Sequence, residues 1–149
     1  MGLNKFILHS TCVVLPDGVG EAWVLVADGK IVSVLDVAPV GEAVVELGDL
    51  VLMAGLIDSH VHINEPGRTE WEGFETATRA AAAGGITTLV DMPLNASPVT
   101  TTLAAFQSKL AAAEGKMAVN CGFYGGIIPG NTADLAPLLQ AGVLGIKAF

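Results

Sequence analysis

The chain has 149 residues, 52% of them hydrophobic, and a formal charge of -8. An acidic chain with few aromatics and no basic run repels phosphate backbones, which excludes nucleic acid as a partner. No apolar run reaches the roughly 18 to 20 residues that span a bilayer, which excludes a membrane helix.

The opening stretch MGLNKFILHSTC lacks a signal-peptide pattern, so the chain reads as soluble and cytoplasmic. Cys12 and Cys121 sit in no Cys-x-x-Cys or Cys/His cluster and read as free, buried thiols. Up to about residue 50, short β-type runs alternate with turns. AWVLVA and IVSVLDV flank Asp28-Gly29, a strong hairpin signal, so residues 1–50 read as a small antiparallel β unit. From there the period changes. Leu50 to Ile63 reads as one buried strand, and Thr69 to Glu72 as a capping box that opens a helix. Phe74, Ala77, Thr78 and Ala81 share the inner face of that helix, which Gly84-Gly85 ends. ITTLVDMP is a second strand. A helix from about Thr101 follows, burying Leu103, Phe106 and Leu110 and stopping at Gly115. MAVNCGFYGGI is a third strand, Asp134 to Gln140 a short helix, and GVLGIKAF a fourth strand.

Strands alternating with helices at this spacing imply a parallel α/β sheet. Without a Rossmann-type glycine fingerprint they favour a (β/α)8 TIM barrel over a doubly wound sheet. A whole barrel takes about 250 residues. Residues 51–149 therefore read as its first half, the N-terminal part of something longer.

Two of the three histidines, His60 and His62, stand one residue apart at the end of the first barrel strand. Alternation along a strand sends Asp58, His60 and His62 to one side, the barrel interior near its C-terminal mouth. Imidazoles held together there are natural ligands for zinc or a similar divalent ion, with Asp58 placed to orient one ring. A hydrogen-bonded pair of interior histidines would leave the same pattern. Lys147 lies between apolar neighbours on the fourth strand. Burial disfavours its ammonium and leaves an amine able to take up carbon dioxide as a carbamate, an anion that could bridge two metals about 3.5 to 4 Å apart. A lysine that extends its head into water is the plainer reading.

Together these stretches resemble the cyclic-amide branch of the amidohydrolase superfamily over nearly the whole chain. MAGLIDSHVHINEPG is similar to that family's first-strand metal motif, AAAAGGITTLVDMPLN to its second strand, and GIKAF to the segment with the carboxylated lysine. The resemblance implies two divalent metal ions, zinc by preference. His60 and His62 would bind one, and carboxylated Lys147 would bridge both. It places two further metal-binding histidines and the general-base aspartate on later strands, outside this chain. The early β unit resembles half of the family's side domain.

Dihydroorotases carry an arginine two residues after the second histidine, where this chain has Asn64, and end the second strand differently from MPLNASP. Without that arginine a carboxylated ring loses its bidentate partner. NEPGRTEWEGFETATRAAAAGGITTLVDMPLN closely resembles the allantoinase family, ahead of dihydroorotases and dihydropyrimidinases or hydantoinases. That resemblance implies hydrolysis of the hydantoin ring of (S)-allantoin to allantoate. Asn64 and Asn95 are then placed to bind a small cyclic ureide, or else serve turns. Arg68 is open to a substrate contact or a loop role, and Trp71 and Phe74 read as packing residues. The full-length form is expected to be a homo-oligomer, a tetramer, and this chain alone to be inactive. A non-catalytic scaffold with the same fold and a free-standing half-barrel binding module are the rival readings.

Overall fold

Asp28 and Gly29 both take positive φ, 50° and 73°, the backbone of a tight primed turn, and they join the two strands flanking them. In the computed structural model, which describes residues 5–148, this hairpin belongs to the first of two compact units, divided after Ala54. Strand β1 (Lys5–Leu15) pairs antiparallel with β2 (Gly18–Ala27), and β2 pairs antiparallel with β3 (Lys30–Leu35). Two short strands, β4 (Val44–Glu46) and β5 (Val51–Leu52), add to the other side of β1 in parallel. The antiparallel unit thus carries a parallel margin. A register shift between Ser10 and Val13 marks a bulge in β1. Fully buried Ser10 supports it, its hydroxyl donating to Leu50 O at 2.6 Å and accepting from Cys12 N at 2.9 Å. Val13, Ala22 and Val24 form a small core beneath Leu8, Leu15, Val26 and Leu52.

The second unit alternates strand and helix: β6 (Leu56–Val61), α1 (Phe74–Ala83), β7 (Ile86–Asp91), α2 (Leu103–Ala113), β8 (Asn120–Gly126), α3 (Thr132–Gln140) and β9 (Gly145–Lys147). All neighbouring strands are parallel, in the order β6-β7-β8-β9. This is the α/β half-barrel that the alternation predicts. Its core lies between sheet and helices, where Phe123 meets Phe74 and Phe106 edge-on at 6.1 and 5.8 Å between ring centroids. Burying rings of this size contributes about 1.5 to 3 kcal/mol each.

Three local expectations are corrected. The run from Leu50 to Ile63 is two strands in different units, and β6 is far from buried: as an edge strand it leaves Leu56 and Ile57 at 51% and 68% exposure. Helix α1 starts at Phe74 and not at Thr69, because the buried Glu65 carboxylate reaches across the loop to accept Phe74 N–H at 2.9 Å. In α2 the buried face runs through Ala105, Phe106, Lys109 and Ala113, while Leu110 faces water at 42% exposure. The helix turns that way because Lys109 has a buried partner. Among the described residues no helix is long and apolar enough to cross a membrane. Phe149, the last residue of the predicted fourth strand, lies outside the described residues.

Candidate metal and substrate site

The sheet register explains how β6 presents its histidines. Asp58 pairs with Leu89 and Val61 with Asp91, so three steps on β6 oppose two on β7, a bulge at Ser59 and His60. The carboxylate of Asp58 accepts the His60 backbone N–H at 3.1 Å and satisfies an amide displaced by the bulge. Strict alternation, which would group Asp58 with both rings, therefore breaks within this strand. Asp58 holds the main chain of His60, and its oxygen is given to that amide and not to a ring nitrogen.

Val61 and Ile63 pack toward the helices, so His62 between them turns to the opposite face of the sheet. There the His60 and His62 rings lie 5.3 Å apart between centroids, tilted by 45°. Both histidines are exposed, and neither ring has a hydrogen-bond partner among the described residues. The two rings make no hydrogen bond to one another.

Lys147 closes β9, in register with Gly126, and its carbonyl accepts Ile127 N–H at 2.9 Å. Its neighbour Ile146 packs on the core, which sends half-buried Lys147 to the same face of the sheet as His62. The two histidines and the lysine thus stand at the carboxyl ends of the outermost strands of the half-barrel. This is the end at which barrels of this kind bind their ligands. Among the described residues, no three of His, Cys, Asp and Glu come together as a metal cluster. What these residues supply is two adjacent imidazoles, a fitting pair of donors for one divalent ion.

Asn64 and Asn95 occupy the loops that follow β6 and β7. Asn64 is only 8% exposed, with its backbone tied to Glu72 O and Arg68 N at 2.9 Å each. Its Oδ1 is buried without a partner, as is the hydroxyl of Thr100. Asn95 is half-buried with φ of 70°, the left-handed conformation of a turn. Arg68 lies 5.4 Å from the centroid of the Trp71 ring, which is 68% exposed, whereas Phe74 is wholly in the core. Trp71 therefore carries Arg68 at the surface and does no core packing.

Sequence reasoning missed the buried charges under this end of the sheet. Asp91 and Lys109 pair at 2.5 Å, at 0% and 1% exposure, and Asp91 Oδ1 also accepts Ile63 N–H at 2.7 Å. Burial pushes the Asp91 carboxyl above its ordinary range, against the opposing pull of Lys109, the Ile63 amide and His62. Glu65, which starts α1, pairs with Lys116 as well. A signal for Lys109 was present: it stands three residues after Phe106, on the face that the apolar pattern turns inward. Cys12 and Cys121 are free and half-buried, and burial, with the Asp91 charge adding to it, pushes the Cys121 thiol up to about 11.

A family model described as the amidohydrolase family matches residues 51–143. The chain is 55% identical over 148 residues to an allantoinase of Streptomyces avermitilis, covering 97% of this chain and 33% of that protein. It is 61% identical over 98 residues to an allantoinase of Saccharomyces cerevisiae, covering 66% of this chain and 21% of that one. Among solved structures, an L-hydantoinase (dihydropyrimidinase) from Arthrobacter aurescens superposes with a TM-score of 0.81 at 34% identity, over 96% of this chain and 33% of that chain. The chain spans about a third of the length of the relatives it matches.

Proposed function

Since the chain belongs to the amidohydrolase family, we propose that it is the N-terminal third of an allantoinase, a hydrolase that opens the hydantoin ring of allantoin at a carbon–nitrogen bond. The observation that carries this reading is the pair of adjacent imidazoles at the carboxyl end of β6, without hydrogen-bond partners among the described residues, in a stretch similar to allantoinases along its whole length. The first unit, divided from the second after Ala54, is then part of a side domain, and the second unit is the first half of the barrel. The longer protein is a cytoplasmic homotetramer.

His60 and His62 would hold one of two divalent ions, zinc by preference, and Lys147, once carboxylated, would bridge both. When bound, such ions supply Lewis acidity to the ring carbonyl and make water a nucleophile near neutral pH. Asp58 keeps the His60 main chain in place through its amide. Asn64 offers a buried acceptor without a partner among the described residues, a match for a ureide N–H, and half-buried Asn95, on the loop after β7, would be a second polar contact. The base that takes the water's proton belongs to the part of the protein beyond these residues. In this reading the residues in hand serve binding and orientation, and the chain alone is expected to open no ring.

Replacing the first third of the Streptomyces avermitilis allantoinase with this chain tests the reading. The zinc-loaded chimera is expected to open allantoin faster than unsubstituted hydantoin, dihydrouracil or dihydroorotate, and His60→Ala or Lys147→Ala should abolish turnover while leaving the melting curve intact. A folded, zinc-loaded chimera that prefers one of the other rings, or opens none, overturns it.

A further inference from the structure

Asp91 and Lys109 are the most deeply buried ion pair among the described residues, and neither the ligand set nor the ring opening above employs them. Stability is a poor reason for such a pair, because well-packed apolar residues of similar volume commonly serve as well or better. An apolar pair cannot, however, accept an amide hydrogen. Asp91 Oδ1 takes Ile63 N–H at 2.7 Å, and Oδ2 is fastened by Lys109 Nζ, which also reaches Met92 O at 3.3 Å. Met92 in turn donates its own N–H to Val61 O at 2.8 Å.

These bonds bracket His62. After the bulge β6 ends at Val61, so the peptide that leaves His62 is held by the Asp91 carboxylate in place of a strand partner. Fixing the carbonyl of Val61 on one side and the amide of Ile63 on the other removes the freedom of the backbone that aims the imidazole. We infer that Asp91, seated by Lys109, is a positioning residue that sets the His62 ring beside His60 through the Ile63 amide and so presets the pair for a divalent ion. The last clause rests on the metal reading proposed above, and the positioning itself does not.

Two paired variants of the chain separate this role from packing. Asp91→Leu with Lys109→Met removes both charges and the acceptor, while Asp91→Asn with Lys109→Met removes the charges and keeps an amide oxygen for Ile63. The readouts are amide hydrogen exchange at Ile63, the nuclear Overhauser contact between the His60 and His62 rings, and zinc affinity followed on the imidazole resonances. The leucine variant is expected to fold with an unchanged circular-dichroism spectrum, to lose protection at Ile63 and the ring contact, and to bind zinc about tenfold more weakly or worse. The asparagine variant should restore the contact and bring zinc affinity to within about threefold of the parent chain. A folded leucine variant that keeps Ile63 protection, the ring contact and zinc affinity overturns the inference. Should the leucine variant not fold, Asp91→Ala with Lys109→Met is read in its place against the same outcomes. If zinc moves neither imidazole in the parent chain, the metal reading falls, and the ring contact and Ile63 exchange still decide the role of Asp91.

Discussion

The chain places its three histidines in two regions that treat them in opposite ways. In the first unit His9 is wholly engaged: its ring stacks on Trp23 at 4.2 Å, Nε2 meets Glu21 at 3.1 Å, and Nδ1 meets Glu46. In the half-barrel His60 and His62 face each other, while the nearest acid on their strand is taken up by a backbone amide. A histidine with carboxylates on both nitrogens is a structural clasp between strands. Two rings beside one another, above an Asp91–Lys109 pair whose oxygens are both engaged, have no such carboxylate partner among the described residues.

Breaking the half-barrel should cost far more than breaking the clasp. The largest effect is expected for Lys109→Met alone, which leaves the Asp91 charge buried and uncompensated and should destabilise the half-barrel by about 3 to 5 kcal/mol in urea unfolding. Thr78→Val comes next. The Thr78 hydroxyl donates to Phe74 O at 2.6 Å and accepts from Ala118 N at 3.0 Å, so its loss orphans an amide at a cost of about 1 to 3 kcal/mol by the same measurement. Thr102→Ala removes the side chain that caps α2 through Ala105 N at 3.2 Å and should cost about 1 kcal/mol.

The smallest effect sharpens the other side of the comparison. The hydrogen bond that His9 donates to the Glu46 carboxylate, with help from Glu21, raises His9 above its ordinary 6.5, against the opposing influence of burial. Because the folded value is the higher one, the clasp stabilises fully below pH 6.5 and fades as pH rises through the raised folded value. Melting temperatures of the first unit should therefore slope downward over that window in the parent chain, and Glu46→Gln should flatten the slope. An unchanged slope in Glu46→Gln would show the clasp to be idle and erase the contrast with the open pair.

How much of this was legible in the chain follows from the range of each interaction. The Asp28-Gly29 turn, the strand–helix alternation and the paired histidines are local patterns, and each appears where its residues predict it. The bulge in β6 is not local, since it exists only as three residues counted against two on β7. The start of α1 likewise depends on Glu65 reaching over a loop, so a Thr-x-x-Glu pattern close by drew the boundary too early. Lys109 was passed over because a lysine in an alanine-rich helix is ordinarily a solvent residue, and its acid stands on a different strand. Asp58 shows the same limit: its place before the histidines suggests a carboxylate that orients a ring, but the bulge gives its oxygen to the His60 amide instead.

The outer rim of β6 has a practical consequence. A parallel strand that bares Leu56 and Ile57 along a margin unpaired among the described residues is a template for another chain's backbone. Association through that rim would be linked to folding by mass action, so the unfolding midpoint of these 149 residues is expected to climb with protein concentration. Any melting temperature recorded for the chain carries a dilution beside it, and capping the rim with a lysine at Ile57 should make the midpoint independent of that dilution.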